Sequence, residues 1–450
     1  MRYFFECTQT YTSGENTGIQ RVVRNVLRSI APAPASARVQ DAAPVQFNKI
    51  VFEAGSFLPV ASEISHPSRA KAGTSSAPPA RSLLKATLRG SFHASRSALV
   101  FVFPGERFFD FVYASSSRWG LSKLCMLPLK FFSKGPKVPP EIPASSVTFT
   151  PGDVVVLLDP SFHLDFWPAI QKARREGAKI VVVIYDLIPE RYPQFCQPGM
   201  VAAFRFWLKN VQTHADGIVT ISHGVALDVA KKFEQGNGPH DPPLRMKSFR
   251  LGCELDGLSA SSDSSDSALR TLLSSPVPAY AYVSTIEPRK NHAYALSAFE
   301  LLWEQCVDAH FIIIGKIGWK SDRFMRRLAN HPEFGKRVFL FQNVDDNDLA
   351  HVYQNARGLI FTSLIEGFGL PVVEAVTQGL PAFVSDIPVF REIDADGIQY
   401  VDLSAPESLA AALQEHAAAG APRMANPAEW LSWRESSAEL MAAVNSTITA

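Results

Sequence analysis

The 450-residue sequence lacks long hydrophobic runs, closely spaced cysteines and an excess of charge of either sign. Its longest apolar runs, such as Val154 to Leu158 and Ile180 to Tyr185, have the length of a strand. A membrane-spanning helix needs about 20 apolar residues. Near the amino terminus, Glu6 interrupts the chain before an apolar stretch develops, so no secretory signal is predicted. We therefore expect a cytoplasmic protein that does not cross a bilayer.

The cysteines form no pair of the kind that binds zinc or exchanges disulfides. They lie dozens of residues apart, at Cys7, Cys125, Cys196, Cys253 and Cys306. We find no convincing cluster of metal ligands elsewhere and expect no metal and no cofactor. The chain is 46% hydrophobic and 11% aromatic, which excludes a wholly disordered chain or a simple coiled coil. Its length predicts two domains.

Charge is spread unevenly along a chain whose net charge is only +1. Between Ile64 and Pro140 there are twelve Lys and Arg residues and two acids, so the rest of the chain is acidic. Such a segment suggests an anionic partner. Residues 61–80 hold fourteen Ala, Ser, Pro or Gly residues, and Asp256 to Ser267 holds six serines and three aspartates. We interpret the first stretch as a loop or insertion and the second as a linker.

Outside these stretches, short apolar runs alternate with amphipathic helical patterns, which is typical of parallel sheets covered by helices. The pattern predicts two successive doubly wound α/β domains, with ligands in the crevice at the carboxyl ends of their strands. The predicted strands are Arg2–Glu6, Val154–Leu158, Lys179–Tyr185, Gly217–Ile221, Ser248–Leu251, Ala279–Ser284, His310–Ile314, Arg337–Phe341, Gly358–Thr362, Ala382–Ser385 and Ile398–Val401. A helix is predicted from Gly18, because apolar residues recur there at helical spacing while Arg21, Arg24 and Arg28 share the opposite face.

The strongest functional indication is the segment from Thr362 to Ala375, in which a strand leads through two glycines into a helix. We call residues 362–369 the acid loop. Pro371 suits the first turn of the helix, and the free N–H groups at the helix start can bind a phosphate that the glycines allow to approach. Glu366 and Glu374 would repel that phosphate unless they bind neutral, hydroxyl-rich groups. A sugar nucleotide has such groups at both ends.

A second cluster follows the first strand of the second predicted domain. In residues 284–292, which we call the cation turn, Arg289 and Lys290 are adjacent. Cations at the carboxyl end of a strand can neutralise a diphosphate, Arg through its planar fork and Lys as a point charge. An Arg-Lys pair alone is more often solvated, so the position of this pair carries the inference.

The acids at Glu366 and Glu374, with seven residues between them, resemble the motif of the retaining nucleotide-sugar glycosyltransferases of GT-B fold known as family 4. Further segments are similar to that family in the same order: Thr17 to Arg21, Tyr185 to Pro189, Leu251 to Leu255 and Pro288 to Asn291. The resemblance implies a bacterial mannosyl- or rhamnosyltransferase of surface-polysaccharide synthesis. Its two Rossmann-like domains would face each other across a cleft.

The resemblance also implies roles for matching residues. Glu374 would hold the ribose of the donor, Glu366 and Asp186 would act at the transferred sugar, and Arg289 and Lys290 would bind the diphosphate. The family needs no metal. Its transition state resembles an oxocarbenium ion, with negative charge growing on the leaving diphosphate. Backbone donors to the phosphate and sugar would come from Gly367, Phe368, Gly369 and Leu370, with Gly18 approaching from the first domain.

Two positions depart from the family pattern and leave an alternative open. Thr285 stands where many relatives have Arg, and Tyr185 where they commonly have His. The alternative is a catalytically silent homologue that acts as a binding or assembly partner; a GT-B sugar-nucleotide epimerase is disfavoured by the spacing of the acids. For Asp186 the alternative to a role at the donor sugar is structural, as a buried acid that caps the next turn. His163 is a weaker candidate for a polar site residue of the first domain.

The basic segment suggests a membrane surface as well as a glycan acceptor. No acid occurs from Phe111 to Pro140, and apolar and aromatic residues interleave with the cations. This pattern suits anionic lipid at the inner face of the plasma membrane, although a packed subdomain with a basic face would give it too. Nucleic acid is not expected as a partner. The predicted domains are 1–255 with an insertion at about 57–145, a linker at 256–276, a nucleotide-sugar domain at 277–425 and a closing helix at 426–450.

Overall fold

The computed structural model describes residues 1–13, 18–30, 46–53, 56–59, 147–234, 244–255 and 267–449. Most of the predicted insertion, the basic segment 111–140 and residues 256–266 of the predicted linker lie outside these ranges. Among the described residues, no helix combines the length and the apolar character needed to span a membrane.

The first lobe is built on a seven-stranded sheet in the order β3-β2-β1-β4-β5-β6-β7, parallel except for β3. Its central strands read as continuous apolar runs because helices cover both faces. The strands are β1 (Arg2–Glu6), β2 (Gln46–Glu53), β3 (Ser56–Pro59), β4 (Val154–Leu157), β5 (Lys179–Ile184), β6 (Gly217–Thr220) and β7 (Arg245–Ser248). The helices are α1 (Thr8–Ser13), α2 (Gly18–Ile30), α3 (Trp167–Arg175), α4 (Ile188–Arg191), α5 (Pro198–His214) and α6 (His223–Glu234).

The second lobe has a six-stranded parallel sheet in the order β10-β9-β8-β11-β12-β13. Its strands are β8 (Ala279–Val283), β9 (His310–Ile314), β10 (Val338–Phe341), β11 (Gly358–Phe361), β12 (Ala382–Ser385) and β13 (Ile398–Val401). The helices that follow the first lobe are α7 (Ser267–Leu273), α8 (His292–Glu304), α9 (Asp322–Ala329), α10 (Asp346–Asn355), α11 (Leu370–Thr377), α12 (Pro388–Arg391), α13 (Pro406–Ala418) and α14 (Trp433–Ile448).

The last helix, α14, packs on the first sheet. Ser432 accepts a hydrogen bond from the Glu435 N–H, and the Glu435 carboxylate accepts one from the Ser432 N–H, which fixes the start of the helix. Ser436 donates to the backbone oxygen of Arg250 at 2.6 Å. At the other end, Tyr3 on β1 bonds to Asn445. The final helix therefore returns to the first lobe and covers β6 and β7.

Two doubly wound sheets confirm the predicted fold class, whereas some elements differ from the prediction. The strand predicted at Ser248–Leu251 is wrong: β7 spans Arg245–Ser248, and its polar, largely exposed side chains gave no apolar run. The closing helix begins at Trp433 rather than near Glu429, since Ser432 caps it. The pattern did not predict β2, β3 or the helices α1, α4, α7, α12 and α13, of which α7 lies within the predicted linker.

Candidate functional site

The acid loop and the cation turn lie side by side at the carboxyl edge of the second sheet. They follow β11 and β8, which pair in parallel at the position where the strand order reverses. The Leu364 N–H donates to the Arg289 carbonyl at 2.7 Å and joins the two segments. Ligands of open α/β sheets bind at such a reversal.

Glu366 is clamped between the two predicted cations. Its Oε2 lies 2.8 Å from Nη1 of Arg289, and its Oε1 pairs with Nζ of Lys290. Burial alone would raise the pKa of Glu366, but Arg289 and Lys290 bring it down to about 2. The structure thus brings together three residues that the sequence analysis placed in one site, and the carboxylate is ionised at neutral pH.

Glu287 is a further member of this cluster that the sequence analysis did not assign. It is buried, and its Oε1 lies 2.6 Å from Nη2 of Arg289. Burial lowers the pKa of Arg289, yet the charges of Glu366 and Glu287 raise it above its ordinary value. Burial lowers the pKa of Lys290, whose Nζ lies 4.7 Å from the ring centre of Phe361. Two acids, Glu287 and Glu366, thus face two cations. The sequence offered no indication of a role for Glu287, because it is a single acid before a proline.

Glu374 lies on α11 and is only 2% exposed. The hydroxyl of Tyr353 on α10 donates to its Oε2 at 2.8 Å, and Arg21 on α2 pairs with its Oε1. The predicted ribose ligand therefore contacts a side chain from each lobe. Neither partner was predicted, because each is far from Glu374 in sequence and is recognisable only in the fold.

The glycines of the acid loop allow the two lobes to approach closely. A Cβ atom on Gly367 would collide with the carbonyl oxygen of Tyr185, and Ser222 Oγ donates to the Gly367 carbonyl at 3.0 Å. Gly369, with φ of 123°, precedes α11 in a conformation that side chains rarely adopt. The ring of Phe368 is buried and lies 6.2 Å from that of Trp430.

The first-lobe candidates take different positions. Asp186 is partly buried beside Gly367, and its Oδ1 accepts from the Ile188 N–H at 2.8 Å, so it caps the next turn as the alternative held. Burial raises the pKa of Asp186, against the charge of Arg289. Tyr185 turns away, donating to the Leu158 carbonyl at 2.8 Å. Gly18 begins α2 with open space where a Cβ would lie.

Two acids that the sequence analysis missed lie at the carboxyl edge of the first sheet. Glu6, at the end of β1, is fully buried and accepts from the Thr8 N–H at 2.8 Å and from Ser161 Oγ at 3.0 Å. Asp159, after β4, accepts from the Thr10 N–H at 2.5 Å. Burial and the charge of Asp159 raise the pKa of Glu6 to about 8. Since α1 carries Thr8 and Thr10, these acids fix the segment that leads toward Gly18.

The raised pKa of Glu6 predicts that Glu6→Gln stabilises the protein at neutral pH. Below the ordinary value of 4.5 the carboxyl is neutral in both states, and stability is lost as the pH rises through 8. The variant escapes that loss and should gain about 3 kcal/mol in the free energy of unfolding at pH 7. Urea unfolding at pH 4 and pH 7 measures this, with the exposed Glu304→Gln as control. An equal gain at both values would contradict the prediction.

Comparisons with known proteins found a similar fold and a matching family model. The fold is similar to that of sucrose-phosphate synthase from Thermosynechococcus elongatus, with a TM-score of 0.50 and 15% identity over 100% of this chain and 95% of that one. Residues 271–422 match the model of the family described as glycosyl transferases group 1. The resemblance noted in the sequence is thus confirmed for this part of the chain.

The chain is similar to bacterial mannosyltransferases. It is 36% identical over 304 residues to the serotype-specific mannosyltransferase WbdA of Escherichia coli, covering 66% of this chain and 37% of that protein. With O-antigen chain mannosyltransferase B of Escherichia coli the identity is 27% over 219 residues, covering 48% and 56%. The chain therefore spans little more than a third of the length of WbdA.

Proposed function

We propose that this protein is a retaining glycosyltransferase that moves a mannosyl group from a nucleoside-diphosphate sugar to a hydroxyl of a growing lipid-linked or surface polysaccharide. The observation that carries the proposal is the joint placement of Glu366, Arg289 and Lys290 beside the helix that bears Glu374. The mannosyltransferase relatives favour mannose over rhamnose as the transferred sugar. No metal is proposed for the reaction.

Different residues of the site bind different parts of the donor. Glu374 accepts hydrogen bonds from the ribose, and the backbone at Gly367 to Leu370 meets the phosphates at the start of α11. Arg289 and Lys290 are already held by acids, so little reorganisation is needed when charge grows on the leaving diphosphate. Glu366 positions both cations and lies within reach of the sugar.

The test is the release of nucleoside diphosphate from guanosine-, uridine- and thymidine-diphosphate sugars, with an oligomannoside acceptor. We expect turnover of a mannosyl donor, and loss of most of it in Lys290→Ala. The matched control is Lys336→Ala, which removes an exposed lysine just before β10, at the opposite edge of the sheet. Binding of donors without turnover over a broad acceptor panel would favour the silent partner instead.

We also propose that residues 111–140 bring the protein to an anionic membrane at the cytoplasmic face. The support is the sequence, which has cations and apolar residues but no acid in this stretch. We expect the protein to float with vesicles that contain phosphatidylglycerol and not with purely zwitterionic vesicles. Deletion of residues 111–140 should abolish flotation; undiminished flotation of a folded deletion variant would refute the proposal.

A further inference from the structure

Arg21 joins the two lobes at the candidate nucleotide site. The helical pattern places it on the polar face of α2, opposite the apolar residues. In the folded chain its side chain is only 11% exposed, and it pairs with Glu374 of the second lobe. An arginine on the polar face of its helix therefore pairs with a carboxylate that we assign to the donor.

The surroundings of Glu374 make this pairing consequential. A buried carboxylate without a partner is strongly disfavoured, and the described side chains that contact it are Arg21 at Oε1 and Tyr353 at Oε2. The carboxylate is 2% exposed and Tyr353 is fully buried. Its negative charge is thus compensated by a residue of the opposite lobe.

The pairing leaves capacity for a ligand. An ionised carboxylate can accept about four hydrogen bonds. One acceptor position on each oxygen is used by Arg21 or Tyr353, and the others remain for two neighbouring hydroxyls such as those of a ribose. Arg21 therefore need not leave when the nucleotide binds. Its Nε is also buried and lacks a hydrogen-bond partner among the described residues.

We propose that Arg21 is a positioning residue for the nucleotide: it reaches from the first lobe to Glu374 and holds that carboxylate charged and oriented toward the ribose hydroxyls. This inference rests on the role of Glu374 in the proposed function. It makes nucleotide affinity, a property of the second lobe, depend on a side chain of the first. Binding of the donor is thereby coupled to the contact between the lobes.

The test is calorimetric binding of GDP and UDP to the full chain, using whichever binds the wild type. Arg21→Ala should weaken binding by about tenfold or more, because it leaves the Glu374 charge uncompensated. Arg21→Lys should restore part of the affinity, because it keeps the charge but loses the fork. In the Glu374→Gln background, Arg21→Ala should change affinity less than about twofold, since the residue acts through the carboxylate.

Two controls separate this role from a structural one. Glu392 also bridges the lobes, accepting from the N–H groups of His223 and Gly224 at 2.8 and 2.6 Å. Glu392→Gln should give the same fold-change with or without Glu374→Gln. The second control changes the ligand. The affinity for 2′-deoxy-GDP or 2′-deoxy-UDP should fall less in Arg21→Ala than the affinity for the ribonucleotide does. This comparison needs no Glu374 variant, so it remains possible if that variant fails to fold.

Equal losses from Arg21→Ala in both backgrounds and for both ligands would overturn the inference, because Arg21 would then act on the fold or directly on the phosphates. Tighter binding by Arg21→Ala would overturn it too, since Arg21 would then compete with the ribose. Failure of the wild type to bind any nucleoside diphosphate would instead overturn the proposed function, and the inference with it. The outcomes are therefore distinguishable.

Discussion

Glu366→Ala should lower kcat/KM by about a hundredfold to a thousandfold while leaving nucleoside-diphosphate affinity unchanged or higher. This factor corresponds to about 3–4 kcal/mol of lost transition-state stabilisation, which lies within the cost of about 3–5 kcal/mol for removing one partner of a buried ion pair. The same change removes a negative charge from beside the diphosphate. Turnover and ground-state binding should therefore move in different directions.

The measurement combines initial rates of nucleoside-diphosphate release with calorimetric binding of the same nucleotide. Glu366→Gln separates charge from shape, because it keeps the size of the side chain next to Arg289 and Lys290. The control is Glu415→Ala, an exposed acid on α13. Turnover within threefold of the wild type in Glu366→Ala would remove this residue from the site.

The strands of the second lobe could be predicted almost residue by residue, because buried parallel strands alternate there with amphipathic helices. The bounds of β9, β12 and β13 agree with the predicted strands at both ends. In the first lobe the pattern fails at the sheet edges. The strands β2 and β3 contain charged residues or proline, and β7 is polar, so none of them produces an apolar run.

The residues of the site could be predicted from the sequence, but only some of the contacts between their side chains could. Strand order alone brings the acid loop beside the cation turn, so Glu366 near Arg289 follows from the fold class. The contact between Arg21 and Glu374 depends on how two lobes meet, which no local pattern encodes. The roles assigned to these residues remain predictions, as do the predicted domain bounds.

His292 should make the stability of the second lobe depend on pH. It opens α8, stacks on Tyr282 with ring centres 4.3 Å apart, and is 2% exposed. Burial, with a contribution from the charge of Lys290, lowers the pKa of His292 to about 3. The unfolded chain protonates near 6.5, so the stabilisation is present above that pH and is lost as the pH falls toward 3.

The variant that tests this is His292→Phe, which keeps an aromatic ring against Tyr282 and cannot titrate. At pH 7.5 it should be about 1 kcal/mol less stable, because the hydrogen bond with Ser284 is lost. Below pH 6.5 the wild type should lose about 1.4 kcal/mol per pH unit relative to the variant, so that the variant is the more stable at pH 5.

Urea unfolding from pH 7.5 to pH 4.5 measures the two curves, and Ser284→Ala is the matched control. That variant loses the same hydrogen bond at 3.2 Å but keeps the titrating ring, so its curve should run parallel to the wild type. Parallel curves for His292→Phe and the wild type would show that the ring does not take up a proton on unfolding.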